Sequence, residues 1–159
     1  MPARDGVLRR GHPFVEITVS ADGKTAKAKY TALIDTGYSG FVSIPLMAAT
    51  MLGLRAQTTA CYELANGKQS EPIPHALGYA CVEGDIYVQG LIAFSGNSSA
   101  IVGVDFLTRC GHMLFMSSKG VMLLNEKEVE EAVREAAKAA KEAAETARKA
   151  LESGRDKTA

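Results

Sequence analysis

The 159-residue sequence carries no net charge, with 18 basic and 18 acidic side chains. No basic run is long enough to track a phosphate backbone, so nucleic acid is not expected as a partner. Cysteine is scarce: Cys61, Cys81 and Cys110 are odd in number, widely spaced and lack a Cys-x-x-Cys pair. That pattern argues against a disulfide framework and against structural zinc, and predicts reduced, mostly buried thiols. Histidine is equally sparse. Cys110 and His112 are two residues apart, but His12 and His75 lie far away in sequence, and no metal or other cofactor is expected. Long apolar runs are also missing. Arg4, Arg9 and Arg10 precede no continuous apolar stretch, which predicts neither a signal peptide nor a membrane span, and hence a cytoplasmic location.

What is present is a chain 47% hydrophobic, enough for one well-buried domain. Its focus is Ala32-Leu33-Ile34-Asp35-Thr36-Gly37-Tyr38-Ser39-Gly40, an apolar run that drives into a carboxylate and then into small residues. A buried strand end holds such a carboxylate rigidly, while Gly37 and Gly40 let the chain turn or admit a close neighbour. Alone, the Asp-Thr-Gly triplet is equally the chemistry of an ordinary turn. A second run, Ala100-Ile101-Val102-Gly103-Val104-Asp105-Phe106-Leu107, breaks at a glycine and passes into a short helix.

Around these two segments the pattern is one of short strands. Pro13 to Ser20 alternates apolar and polar residues, Asp22-Gly23 supplies a hairpin turn, and Thr25 to Ile34 returns into Asp35. Phe41 to Ile44 reads as a short strand ended by Pro45, and Leu46 to Leu54 has helical spacing. Gln57 to Leu64 is the next strand, turned at Ala65-Asn66-Gly67-Lys68. Ala76 to Val82, Ile86 to Phe94 and Ala100 to Val102 follow. Asp105 stands where a helix start needs a capping acceptor and is read as structural. Met113 to Met116 and Val121 to Leu124 make a last hairpin. Many short strands with Gly-rich turns predict an all-β, closed or barrel-like domain over residues 1–125.

Composition changes abruptly over 126–159, where Ala, Glu and Lys dominate. Asn125 and Glu128 have capping-box spacing, and Ser153-Gly154 reads as a stop, so a single helix about 40 Å long is expected, with a disordered end. Val129, Val133, Ala136, Ala140, Ala143, Ala147 and Ala150 follow a coiled-coil seam, but a solvated helix reads the same way because alanine buries little area. Whether the segment is native or appended is open from sequence.

The paired motifs, Asp-Thr-Gly on one strand and a later apolar run ending in glycine before a short helix, resemble the retropepsin-like (clan AA) single-domain aspartic peptidases. The resemblance covers about residues 13–124 and is nearest the small prokaryotic members, which read Asp-Thr-Gly-aromatic-Ser-Gly. It implies a closed acid-protease barrel, peptide or protein substrates, and a homodimer in which each subunit contributes one loop. Asp35, Thr36 and Gly37 are then the catalytic triplet, with Asp35 and its symmetry mate sharing a proton; the aspartic-protease dyad is the standard instance of two carboxylates too close to ionise together. Thr36 fixes the loops across the dimer, Gly37 keeps the approach open, and Ser39 offers a hydroxyl to the outer oxygen of the carboxylate. Tyr38 and Ser39 fall on the substrate side. Ala65, Asn66, Gly67 and Lys68 fall where the family carries its flap, although an ordinary surface hairpin has the same sequence. The alternative from another class is an inert retropepsin-fold module for peptide binding or dimerisation.

Overall fold

The computed structural model describes residues 4–64, 66–82, 86–96, 98–118 and 120–155, with side chains from 5 to 146 of these. Contacts divide the chain into two compact units, one ending at Asn125 and the other starting at Glu126.

The first unit begins with β1 (Arg4–Arg9), β2 (His12–Ser20) and β3 (Lys27–Ile34). Alternation along β2 sends Val15, Ile17 and Val19 into the core. Next come β4 (Val42–Pro45), α1 (Leu46–Met51), β5 (Thr58–Ala60), β6 (Ile73–Val82), β7 (Val88–Ser95) and β8 (Ala100–Val102). The unit ends with α2 (Val104–Arg109), β9 (His112–Ser117) and β10 (Gly120–Asn125). Hydrogen bonding runs β2–β6–β7–β4–β8–β3 and returns to β2, so six strands close into a barrel, while β1 continues from β2 to β10 and β9. Closure removes the strand edges of the barrel and gives the apolar faces one shared interior. Val19, Ala32, Val42, Ile44, Ala80, Ile92, Val102 and Phe106 meet there without solvent contact.

Several elements depart from the sequence expectations. β1 was not expected; its polar sequence becomes a strand because its backbone pairs with β2 on one side and β10 on the other. The turn between β1 and β2 puts Arg10 and Gly11 at φ 52° and 80°, the twist that a two-residue hairpin requires. α1 stops at Met51, short of Leu54, and β5 spans three residues where a strand to Leu64 was expected. Pro74 lies inside β6 opposite Thr59 of β5, one residue before the His75–Ala93 pair that begins the β6–β7 ladder, so it is paired on one side only.

The β2–β3 loop is held by one carboxylate. Asp22 accepts from the Thr25 hydroxyl, the Lys24 and Thr25 backbone N–H groups and the Ser20 hydroxyl. These bonds, led by the Thr25 hydroxyl, hold its carboxyl well below the ordinary carboxylate range. A depressed folded-state pKa adds stability that is complete above the unfolded value, about 3.9, and is lost as pH falls through the folded one. Asp22→Ala should therefore lower the melting temperature at neutral pH. The gap between variant and parent should close as melts are repeated in progressively stronger acid, and a gap independent of pH would contradict the assignment.

The second unit is one helix, α3 (Glu126–Arg155). It runs through Ser153-Gly154, which the sequence marked as a stop. Side chains 130–146 are exposed within this unit. The side chains of Ala147 and Ala150 of the seam, and the chain end from 156, lie outside what is described. Among the described residues no helix is long and apolar enough to cross a membrane.

Candidate active site

The site is built where β8 lies between β3 and β4. Ala32, Leu33 and Ile34 run parallel to Ala100, Ile101 and Val102, and Val42 pairs antiparallel with Val102 on the other side. The Asp35 N–H continues the first ladder by donating to Val102 O at 3.0 Å. The loop from Asp35 to Phe41 therefore crosses the end of β8. Two further bonds strap it there: Gly103 N–H donates to Phe41 O at 3.0 Å, and Val104 N–H to Tyr38 O at 2.9 Å.

This close crossing explains Gly103. Its φ of −108° is open to any residue. Space is the restriction, because a Cβ there would overlap the backbone oxygens of Gly40 and Tyr38 and press on the Tyr38 ring. Below the loop, Phe41 and Phe106 of α2 meet edge to face at 5.4 Å and carry the crossing on a packed core. Asp105 does not cap α2: Gly103 occupies the cap position and no side chain caps it. Asp105 instead takes the Arg109 guanidinium Nε at 2.8 Å on both oxygens, one turn along the same helix.

Asp35 is half-buried. Its Oδ1 accepts the Gly37 N–H at 2.9 Å, and its carbonyl accepts the Tyr38 N–H at 3.1 Å. The loop thus orients the carboxylate through its own backbone, while Oδ2 makes no hydrogen bond to the described residues. Thr36 and Ser39 are exposed, and neither hydroxyl bonds Asp35 within the chain. Tyr38, expected on the substrate side, has its ring folded over Gly40, where any Cβ would strike it. Burial, then the bond to Tyr62, pushes its hydroxyl far above the ordinary tyrosine range, so it stays protonated.

A hairpin joins residues 62–64 to 68–70. Ser70 N–H donates to Tyr62 O at 2.8 Å, Leu64 N–H to Lys68 O at 2.7 Å and Gly67 N–H to Leu64 O at 2.8 Å. Gly67 takes φ 74°, a left-handed conformation that suits glycine, and Asn66 Oδ1 accepts the Lys68 N–H. Asn66, Gly67 and Lys68 are exposed, and Ala65 lies outside the described residues.

Two residues that sequence reasoning missed connect this hairpin to the Asp35 loop. The Tyr38 and Tyr62 hydroxyls are 3.4 Å apart, and Tyr62 Oη lies 2.5 Å from His75 Nε2. His75 is 1% exposed. No spacing rule links residues 38, 62 and 75, and the one local trace is a histidine entering an otherwise apolar strand. Among the cysteines, Cys61 beside Tyr62 is exposed, not buried as expected, Cys81 is buried and Cys110 half-buried, and none forms a disulfide. Among the described residues no group of three or more His, Cys, Asp or Glu is placed to hold a metal ion.

Barrel, crossing loop and glycine-led helix together define the retropepsin-like fold. Among solved structures, the chain is similar to a retropepsin-like aspartic protease from Rickettsia conorii, with a TM-score of 0.50 at 20% identity, over 76% of this chain and 87% of that one. The protease of Simian Foamy Virus (mac) aligns at a TM-score of 0.44 and 15% identity, over 60% of this chain and 91% of that one. No protein-family model and no curated protein matches the sequence.

Proposed function

We propose that the chain is an aspartic endopeptidase that works as a homodimer, with Asp35, Thr36 and Gly37 of each subunit forming one shared centre. The observation that carries this reading is Asp35 itself: a half-buried carboxylate at the end of β3 in a retropepsin-like fold, with one oxygen fixed by Gly37 N–H and the other unengaged by the protomer. A single carboxylate of this kind does half of the chemistry. Peptide hydrolysis in this manner needs one ionised carboxylate to take a proton from water and one protonated carboxyl to donate to the carbonyl oxygen. The water oxygen bonds to the scissile carbon as its proton passes to the ionised Asp35. The resulting diol collapses with proton transfer to the amide nitrogen, the C–N bond breaks, and the pair returns to its shared-proton state.

In this reading the 62–70 hairpin is the flap, lowering over an extended peptide and adding backbone hydrogen bonds through Asn66, Gly67 and Lys68. Tyr38 and Ser39 border the peptide. Digestion of a peptide library from acid to alkaline pH, read by mass spectrometry, tests the proposal: internal cleavage centred on the acid side is expected, and activity confined to alkaline pH would overturn it.

The dimer is assigned to residues 1–125, with the Ala/Glu/Lys-rich segment 126–159 outside it. Alanine side chains on α3 bury too little area to drive tight pairing by themselves. A chain ended after Asn125 should sediment as a dimer and retain cleavage within about 3-fold of the parent. A monomeric, inactive truncation that recovers when an unrelated coiled coil replaces Glu126 to Glu152 would transfer the organising role to α3.

A further inference from the structure

We infer that Tyr62, backed by His75, is a positioning residue that ties the stem of the 62–70 hairpin to the loop carrying Asp35. The polarity of the contact follows from one carbonyl. His75 Nδ1 lies 2.7 Å from Ile73 O, and a carbonyl only accepts, so Nδ1 carries the proton. In the neutral ring Nε2 is then an acceptor, and the Tyr62 hydroxyl donates to it. The Tyr62 oxygen in turn accepts from the protonated Tyr38 hydroxyl. Three segments distant in sequence are joined in a line that ends on the backbone of β6.

Both ends of the line are anchored. Tyr62 is registered in the hairpin stem by both of its backbone groups: its carbonyl accepts from Ser70 N–H, and its N–H donates to Ser70 Oγ at 2.9 Å. Tyr38 is registered in the Asp35 loop by its N–H to Asp35 O and its carbonyl to Val104 N–H. The rings add contact along the same line, with centroids 5.1 Å apart for Tyr38 and Tyr62 and 5.7 Å for Tyr62 and His75. A displacement of the stem therefore reaches the Asp35 backbone through Tyr38. The weakest joint is the 3.4 Å hydroxyl contact, which suits a coupling that must yield when the hairpin moves.

The kinetic consequence rests on the peptidase reading, so the test has one arm that needs no activity. Tyr62→Phe keeps the ring and removes the hydroxyl from both contacts. Amide hydrogen exchange in the full chain should show faster exchange, by about 10-fold, at Gly37 and Tyr38 in the variant. On a peptide cleaved by the parent, kcat should fall about 10-fold with KM changed less than about 2-fold, since misplaced reacting groups lower turnover more than binding. Tyr38→Phe should also lower kcat, and the double variant should lose no more than Tyr62→Phe alone, because the two hydroxyls serve one link. Unchanged exchange at Gly37 and Tyr38 overturns the tie, and faster exchange with kcat unchanged overturns the positioning role. A parent that cleaves no peptide removes the peptidase reading, and the exchange result then supports or overturns the tie by itself.

Discussion

Asp35→Asn should abolish peptide cleavage, lowering kcat by about 10⁴-fold or more while the protein stays folded. In a homodimer the substitution removes the proton acceptor and the proton donor together, and each is ordinarily worth about 10² to 10⁴. The amide oxygen of Asn can still accept the Gly37 N–H that now reaches Oδ1, so the loop keeps its internal bond and the melting temperature should move by only a few degrees, about 3 °C. The parent should show a bell-shaped pH dependence whose two limbs belong to the pair of carboxylates and not to either one. Cleavage that persists at the parent rate in Asp35→Asn would place the chemistry elsewhere in the chain.

The largest expected effect on stability is at Gly103. Gly103→Ala places a methyl group against the carbonyl oxygens of Gly40 and Tyr38, and neither neighbour is the free end of a side chain. Both belong to the strapped loop, whose bonds to Val104 N–H and Gly103 N–H would have to lengthen for the methyl to fit. Overpacking against backbone of this kind costs about 3 kcal/mol, or roughly 10 °C in melting temperature for a domain of this size. Gly96→Ala is the matched control: nothing lies within 4 Å of the added carbon and the backbone is not left-handed there, so a change of at most about 0.5 kcal/mol is expected. Equal melting temperatures for the two variants would mean that the crossing is not the constraint it is taken to be. Since the displaced loop carries Asp35, any Gly103→Ala protein that folds should also lose most of its turnover.

Local pattern made much of this fold legible. The alternation in β2, the Asp-Gly turn after it, the return strand into Asp35, the Ala100–Val102 strand and the last hairpin all follow from periodicity and turn chemistry within a few residues. The two motifs that carry the resemblance to retropepsin-like sequences meet in the parallel ladder that pairs Ile34 with Val102. Elements stabilised by partners distant in sequence were not legible. β1 has no alternation of its own and exists because β2 and β10 flank it, with Gly6 admitting the Phe14 carbonyl at a distance no Cβ would allow. Expected strand beyond Ala60 gave way to the hairpin, since Tyr62 pairs with Ser70 and not with the barrel.

Strand alternation, turn residues and helix composition act over short stretches of chain, and they were enough to show a closed β fold ahead of Glu126, Asp35 at a strand end in a glycine-bearing loop, and a helix from Glu126 onward. Tertiary structure alone decided why residue 103 has no side chain and where the Tyr38 hydroxyl goes. Those outcomes depend on backbone oxygens and side chains brought together from positions tens of residues apart, and no local spacing encodes such an encounter. The line from Tyr38 through Tyr62 to His75 exists only because barrel closure sets β6 beside the loop that follows β3.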